Sequence, residues 1–170
     1  EASLEKKSEK SLLIELKKIS RHRSKMFWVE QKEAKGLGHA ILCAKHLISN
    51  EPFAVMLPDM LLNSNYKKNN LTLMKNSFEK SGESCLLLGK VKRSEVQNYG
   101  IVKIKNKTQK NKLFPLEDVV EKPSPKKAPS VLFVAGRYIF DNEILGFLSK
   151  EKPDSRGEIQ LTGAISYFLK

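Results

Sequence analysis

Apolar residues at Leu12, Leu13, Leu16 and Ile19 recur at helical spacing with charges on the opposite face, so the pattern predicts a helix within residues 4–20. The next apolar stretch, Lys25–Gln31 (KMFWVEQ), is rich in β-forming residues and reads as a strand. Gly36 and Gly38 then open a helix from about His39 to Leu47, which Glu51-Pro52 breaks. Phe53–Leu57 reads as a strand that runs across Pro58 onto a single carboxylate, Asp59. A polar loop over Asn63–Asn70 precedes a helix over Leu71–Ser81, stopped by Gly82. Ser84–Val91 has the continuous apolar run of a buried strand, and Gly100–Lys105 alternates apolar and basic positions, as a half-exposed strand does.

The remainder follows the same logic. Lys107–Lys112 has the composition of a hairpin tip, and Leu116–Glu121 leads into Lys122-Pro123. The proline-rich run Pro123–Pro129 is a surface loop, and Val131–Phe140 is a strand interrupted near its middle by Gly136. Asn142–Leu148 forms a short helix, Lys152–Gly157 a turn-rich loop, and a closing helix starts at about Leu161. Strands alternate with helices first and pair as hairpins later, which predicts an α/β chain with a mixed sheet rather than a purely parallel one. No internal repeat or composition shift marks a domain boundary, and 170 residues suffice for one domain with a buried core.

Composition changes this picture only in part. The net charge of +12 comes almost wholly from lysine, with five arginines, and the lysines are scattered. That distribution favours a lysine-rich surface, with some local attraction for phosphorylated substrates, over a nucleic-acid patch. The aromatic residues do not interleave with the basic ones as a base-stacking platform requires, so nucleic acid is not an expected partner. No apolar run approaches the roughly 20 residues that span a bilayer. The first ten residues lack the apolar core of a secretory signal, and no membrane partner is expected. Cys43 and Cys85 lie far apart without metal-ligand spacing, so reduced thiols are expected, one on a helix and one on a strand, in a cytoplasmic protein.

Few residues offer chemistry on their own. Gly36-Leu37-Gly38-His39 lacks the third glycine of a dinucleotide fingerprint. It is either a tight turn or a place where backbone approaches a base or phosphate ahead of a helix N-terminus. His39 reads first as a hydrogen-bonded structural histidine. Asp59 stands at the carboxyl end of a strand, where open α/β sheets bind ligands. It suits either a turn or a hard cation that takes one or two carboxylates plus phosphate oxygens. Glu121 and Lys122 are either a surface ion pair or a carboxylate for sugar hydroxyls beside a point charge for a phosphate. Adjacent strand residues face opposite ways, so both reach one ligand only if the strand breaks, and Pro123 is the expected break. No Ser/His/Asp or Cys/His nucleophile arrangement is visible, and the histidine content makes a histidine metal site an unpromising reading.

In their order, GLGHAILCA, EPFAVMLPD, NYGIV, VVEKP, AGRYIF and GEIQLT resemble the bacterial UTP–glucose-1-phosphate uridylyltransferases (UDP-glucose pyrophosphorylases) over nearly the whole chain. The resemblance implies a Rossmann-like nucleotidyltransferase fold with a mixed, mostly parallel central sheet flanked by helices. It also implies the reaction of glucose 1-phosphate with UTP, giving UDP-glucose and pyrophosphate with Mg²⁺. Position by position, Gln31 and Gly36 resemble the residues that read uracil, with Gly38 and His39 shaping the same loop. Asp59 resembles the Mg²⁺ ligand, Gly100 and Glu121 the glucose contacts, and Lys122 the lysine on the sugar phosphate. Full-length members are expected to form homo-oligomers, dimers or tetramers. The alternatives are a related sugar-1-phosphate nucleotidylyltransferase, separable by nucleotide competition, and a non-catalytic sugar-nucleotide-binding protein.

Three departures accompany the resemblance. The glycine-rich GxGTRxxPxTK segment that opens the family is absent, as is its late DCG segment, so the chain resembles a central portion of one nucleotidyltransferase domain. By itself it is expected to turn over little. Gly163 replaces a usual aspartate near a helix start, with an expected effect on stability rather than chemistry. The spatial expectation is that Asp59, Glu121 and Lys122 converge on one hexose-phosphate cavity.

Overall fold

A computed structural model describes residues 10–20, 25–62, 69–105 and 113–169. They fall into two compact units, one within residues 1–30 and the other from Gln31 onward. In the first, helix α1 spans Lys10–Ser20, as its apolar spacing predicts. The strand expected over Lys25–Gln31 does not form: after a single 3₁₀ position the backbone runs without ladder partners, and Phe27 and Trp28 are exposed. β propensity reflects packing against neighbouring strands, and among the described residues none pairs with this one.

The second unit carries α2 (Gly36–Cys43), α3 (Lys45–Ile48), β1 (Phe53–Met56), α4 (Asn70–Ser81), β2 (Cys85–Lys90), β3 (Gly100–Ile104), β4 (Leu116–Glu121), β5 (Leu132–Phe140), α5 (Ile144–Leu148) and α6 (Leu161–Phe168). A 3₁₀ turn over Arg93–Asn98, not foreseen from the sequence, precedes β3. Local chemistry fixes the ends of α4: the Asn69 side chain accepts from the Leu71 N–H at 2.9 Å, and Gly82 closes the helix at φ 70°. The loop expected over Asn63–Asn70 and the hairpin tip over Lys107–Lys112 lie largely outside the described residues.

The sheet departs from expectation. Every strand pairing among the described residues is antiparallel: β1, β2 and β3 with β5, and β3 with β4. A mostly parallel sheet required crossover helices between neighbouring strands. Here β5, the latest strand in the chain, is instead the hub. Ile139 pairs with both Cys85 and Ala54, so β2 and β1 flank opposite edges of β5. Phe133 pairs with both Gly89 and Ile101, which puts β3 on the same edge as β1.

Gly136 lies between these two partners. Its φ is +58°, and the β2 register shifts there, with Leu86 opposite Tyr138 and Leu88 opposite Val134. The sequence anticipated the interruption; the strand bulges and continues rather than ending.

The larger core joins Val102, Val119, Val134, Tyr138 and Phe140 of the sheet to Ile144, Leu145 and Leu148 of α5 and Leu161, Ala164 and Ile165 of α6. Each buried valine, leucine, isoleucine or phenylalanine among these stabilises the fold by roughly 1.5–3 kcal/mol. A smaller cluster of Val96, Ile101 and Ala128 covers the other face, since Ile101 and Val102 point opposite ways along β3.

Candidate functional site

The segment after Gln31 folds back on itself. The Gln31 carboxamide nitrogen donates to the Gly36 carbonyl at 3.1 Å and lies 2.9 Å from His39 Nδ1. With both amide hydrogens so directed, Nδ1 of His39 accepts, and among the described residues no donor is seen on the Gln31 carbonyl oxygen. The helix begins at Gly36 rather than near His39, so both glycines sit inside its first turn.

A close neighbour accounts for them. Gly38 N–H donates to the Ile159 carbonyl at 2.9 Å, and Ile159 N–H donates to the Lys35 carbonyl at 2.8 Å. A Cβ on Gly38 would come within 2.7 Å of the Ile159 carbonyl oxygen, and Gly36 has φ +84°. Backbone packing against residues 158–159 therefore demands these glycines, whatever else the loop does.

Glu121 and Lys122 lie together at the end of β4. Lys122 Nζ is 3.9 Å from Glu121 Oε1, and Lys122 N–H donates to the Tyr99 carbonyl at 3.1 Å. The pair is half-exposed, so its attraction adds at most about 1 kcal/mol to stability. The strand does break here, but at Lys122 itself, whose φ is +44°, one residue before Pro123. A left-handed backbone at a non-glycine residue carries strain, which is concentrated at functional positions.

Gly100 pairs with Glu121 across the β3–β4 ladder, and a Cβ on Gly100 would come 3.3 Å from Glu121 Oε2 and 3.0 Å from Thr162 Cγ2. Thr162 Oγ1 donates to Glu121 Oε2 at 3.1 Å. The Glu121 charge also reaches the sheet centre. The buried Tyr138 hydroxyl is pushed up to about 12, first by burial and then by this carboxylate.

Asp59 is exposed on the turn that follows β1. Arg137 of β5 fastens that turn, donating to the Leu57 carbonyl at 2.8 Å and the Met60 carbonyl at 2.9 Å. Leu57 N–H donates to the Gly136 carbonyl, while Ile101 pairs with Phe133. The end of β1 and the start of β3 thus meet the same edge of β5 on either side of the Gly136 bulge. Among the described residues no group of three or more His, Cys, Asp or Glu forms a protein-only metal cage. An exposed single carboxylate fits a hard cation that completes its shell with substrate oxygens and water.

Sequence reasoning passed over Arg137, Thr162 and Ile159. Each lies in a segment (AGRYIF, GEIQLT) that carried the resemblance without an assigned role. The run Glu158–Thr162 connects the two clusters, lying against Gly36 and Gly38 at one end and bonding to Glu121 at the other.

Asp154 steadies that run. It accepts from the N–H groups of Glu158 at 3.0 Å and Arg156 at 2.8 Å and from the Gln160 side chain at 3.1 Å. These bonds, the Glu158 N–H foremost, lower its carboxyl from 3.8 to about 2. Because the folded value is depressed, its stabilisation is present above pH 3.8 and is lost as pH falls toward 2. Asp154→Asn is expected to flatten stability across that window, read from urea midpoints at stepped pH.

Gly163 is the third residue of α6, after Leu161, and is not its cap. The Glu151 carboxylate occupies the space beside it, with Oε2 buried and unpartnered among the described residues. Burial pushes the Glu151 carboxyl up. A Cβ at 163 would meet this carboxylate, the movable end of a flexible side chain, which would have to swing aside.

The family profile described as nucleotidyl transferase matches residues 4–170. A UTP–glucose-1-phosphate uridylyltransferase of Haemophilus influenzae is 38% identical over 174 residues, covering 100% of this chain and 59% of its own length. Among solved structures, a UDP-glucose pyrophosphorylase complexed with UDP-glucose superposes with a TM-score of 0.79 at 39% identity, over 84% of this chain and 53% of that one. A UTP-bound relative from Acinetobacter baumannii gives a TM-score of 0.76 at 32% identity, over 98% and 57%. The chain spans 59% of the length of that first curated relative.

Proposed function

Because the chain belongs to the nucleotidyl transferase family, we infer that its protein transfers a uridylyl group from UTP to glucose 1-phosphate, releasing pyrophosphate and forming UDP-glucose. The observation that carries this reading is the linkage of two recognition clusters through Glu158–Thr162. On one side Gln31, Gly36 and His39 are hydrogen-bonded together. On the other, Glu121 and Lys122 stand beside Gly100. The whole chain is read as part of one nucleotidyltransferase domain.

The roles follow from the donors and charges available. The carbonyl oxygen of Gln31 accepts from the N3–H of uracil, a donor that cytosine lacks. Glu121 accepts from hexose hydroxyls, with Gly100 leaving room for the ring. Lys122 places its ammonium on the sugar phosphate and holds the attacking oxygen toward the α-phosphorus. That oxygen is already anionic, so no general base is needed, in keeping with in-line displacement driven by positioning and charge. Asp59 would hold Mg²⁺, which when bound supplies charge neutralisation at the phosphates. In this reading the Asp59 turn and the Glu121–Lys122 pair act on one and the same bound sugar phosphate and nucleotide.

Incubating the intact protein with UTP, glucose 1-phosphate and Mg²⁺ is expected to release pyrophosphate, with CTP turned over far more slowly. Equal rates with UTP and CTP, or none with UTP, would refute the assignment.

A further inference from the structure

Glu121 owes its orientation to a residue outside its own strand. A glutamate carboxylate rotates easily about its last bond and, unrestrained, presents either oxygen to a ligand. Here the two oxygens have different surroundings: Oε2 accepts from Thr162 Oγ1 at 3.1 Å, and Oε1 faces Lys122 Nζ at 3.9 Å.

Thr162 is itself well held. It is buried to 9% exposure in the first turn of α6, and its methyl lies over Gly100. It also directly follows the run fastened to Lys35 and Gly38 by Ile159. A buried hydroxyl needs a partner, and a carboxylate is a strong one.

We propose that Thr162 is a positioning residue that locks Oε2 of Glu121 toward α6 and thereby reserves Oε1, beside Lys122, for the sugar hydroxyl. The inference rests on the assignment of Glu121 to the hexose. It assigns Thr162 an effect on the sugar phosphate alone, since no contact joins Thr162 to the Gln31–Gly36–His39 cluster among the hydrogen bonds described.

Steady-state kinetics of the intact protein with Thr162→Val and Thr162→Ser test it. Valine keeps the shape and removes the donor; serine keeps the donor and removes the methyl. Thr162→Val is expected to lower kcat/KM for glucose 1-phosphate by roughly 10- to 100-fold while the KM for UTP stays within about twofold. Thr162→Ser is expected to restore the sugar value to within about threefold.

If Thr162→Val leaves the sugar phosphate kinetics unchanged, the inference is wrong. It is equally wrong if both substrates weaken alike, the melting temperature falls, and serine gives no rescue. A wild-type protein without pyrophosphate release would instead bring down the functional assignment, and this inference with it, so the two failures are told apart by the wild-type assay.

Discussion

Lys122→Met is expected to cut turnover by about 10²- to 10³-fold, the usual effect of removing one preorganised charge from a transferring phosphoryl group. Lys103→Met serves as the control. Lys103 is a half-exposed lysine of β3 bonded to Glu117, remote in role from the Glu121–Lys122 pair, and its loss should change turnover by no more than about threefold.

The companion variant Lys122→Gly separates chemistry from folding. Lys122 sits at φ +44°, a conformation that costs an L-residue roughly 1–2 kcal/mol and glycine almost nothing. Lys122→Gly should therefore be as inactive as the methionine variant yet melt at the same temperature or higher. A glycine variant that retains activity would overturn the role of the ammonium, and one that unfolds well below wild type would overturn the strain assigned to this position.

Gly136→Ala has the largest expected effect on stability. Its φ of +58° disfavours a side chain, and a Cβ there would meet Met60 Cγ at 2.7 Å and Leu57 Cβ at 3.1 Å. Left-handed strain and overpacking together give a loss of about 2–4 kcal/mol, measurable as a lowered urea midpoint. The atoms pushed aside belong to the turn bearing Asp59, so turnover should fall even at temperatures where the variant stays folded. Gly146→Ala is the informative contrast. It lies in α5 with open space around its Cα, and it should be neutral or stabilising by up to about 1 kcal/mol.

How much of this was legible beforehand depended on the range of the forces involved. Helix α4 was readable because its stop signal, Gly82, is local, although its cap, Asn69, reads from the sequence as part of the preceding loop. The stretches β1, β3 and β5 were readable as strands for the same reason. Their pairing was not, because direction in a sheet is set by contacts between distant residues, and an apolar run does not say which way its neighbour travels. The supposed strand at Lys25–Gln31 failed in the same way, having β-forming residues but no ladder partner among the described residues.

The site divides along similar lines. The Gln31–Gly36–His39 contacts and the Glu121–Lys122 pair fall within short sequence separations, and the resemblance pointed at all five residues. Arg137 and Thr162 act across large separations, 80 residues from Leu57 and 41 from Glu121, and no local pattern announces them. Gly36, Gly38 and Gly163 were noticed for chemistry or capping. Gly36 and Gly38 also answer a steric need set by the Ile159 backbone, which the sequence does not place beside them.

The central position of β5 also bears on how the molecule is made. Strands β1 and β2 leave the ribosome long before residues 132–140, and the ladder partners they have among the described residues are in β5. Loop closure over such distances slows folding, and unmatched strand edges waiting in the nascent chain are open to the wrong neighbour. Synthesis that stalls or ends ahead of Leu132 should therefore leave β1 and β2 in an insoluble product, whereas completion of β5 should allow the sheet to form in one cooperative step.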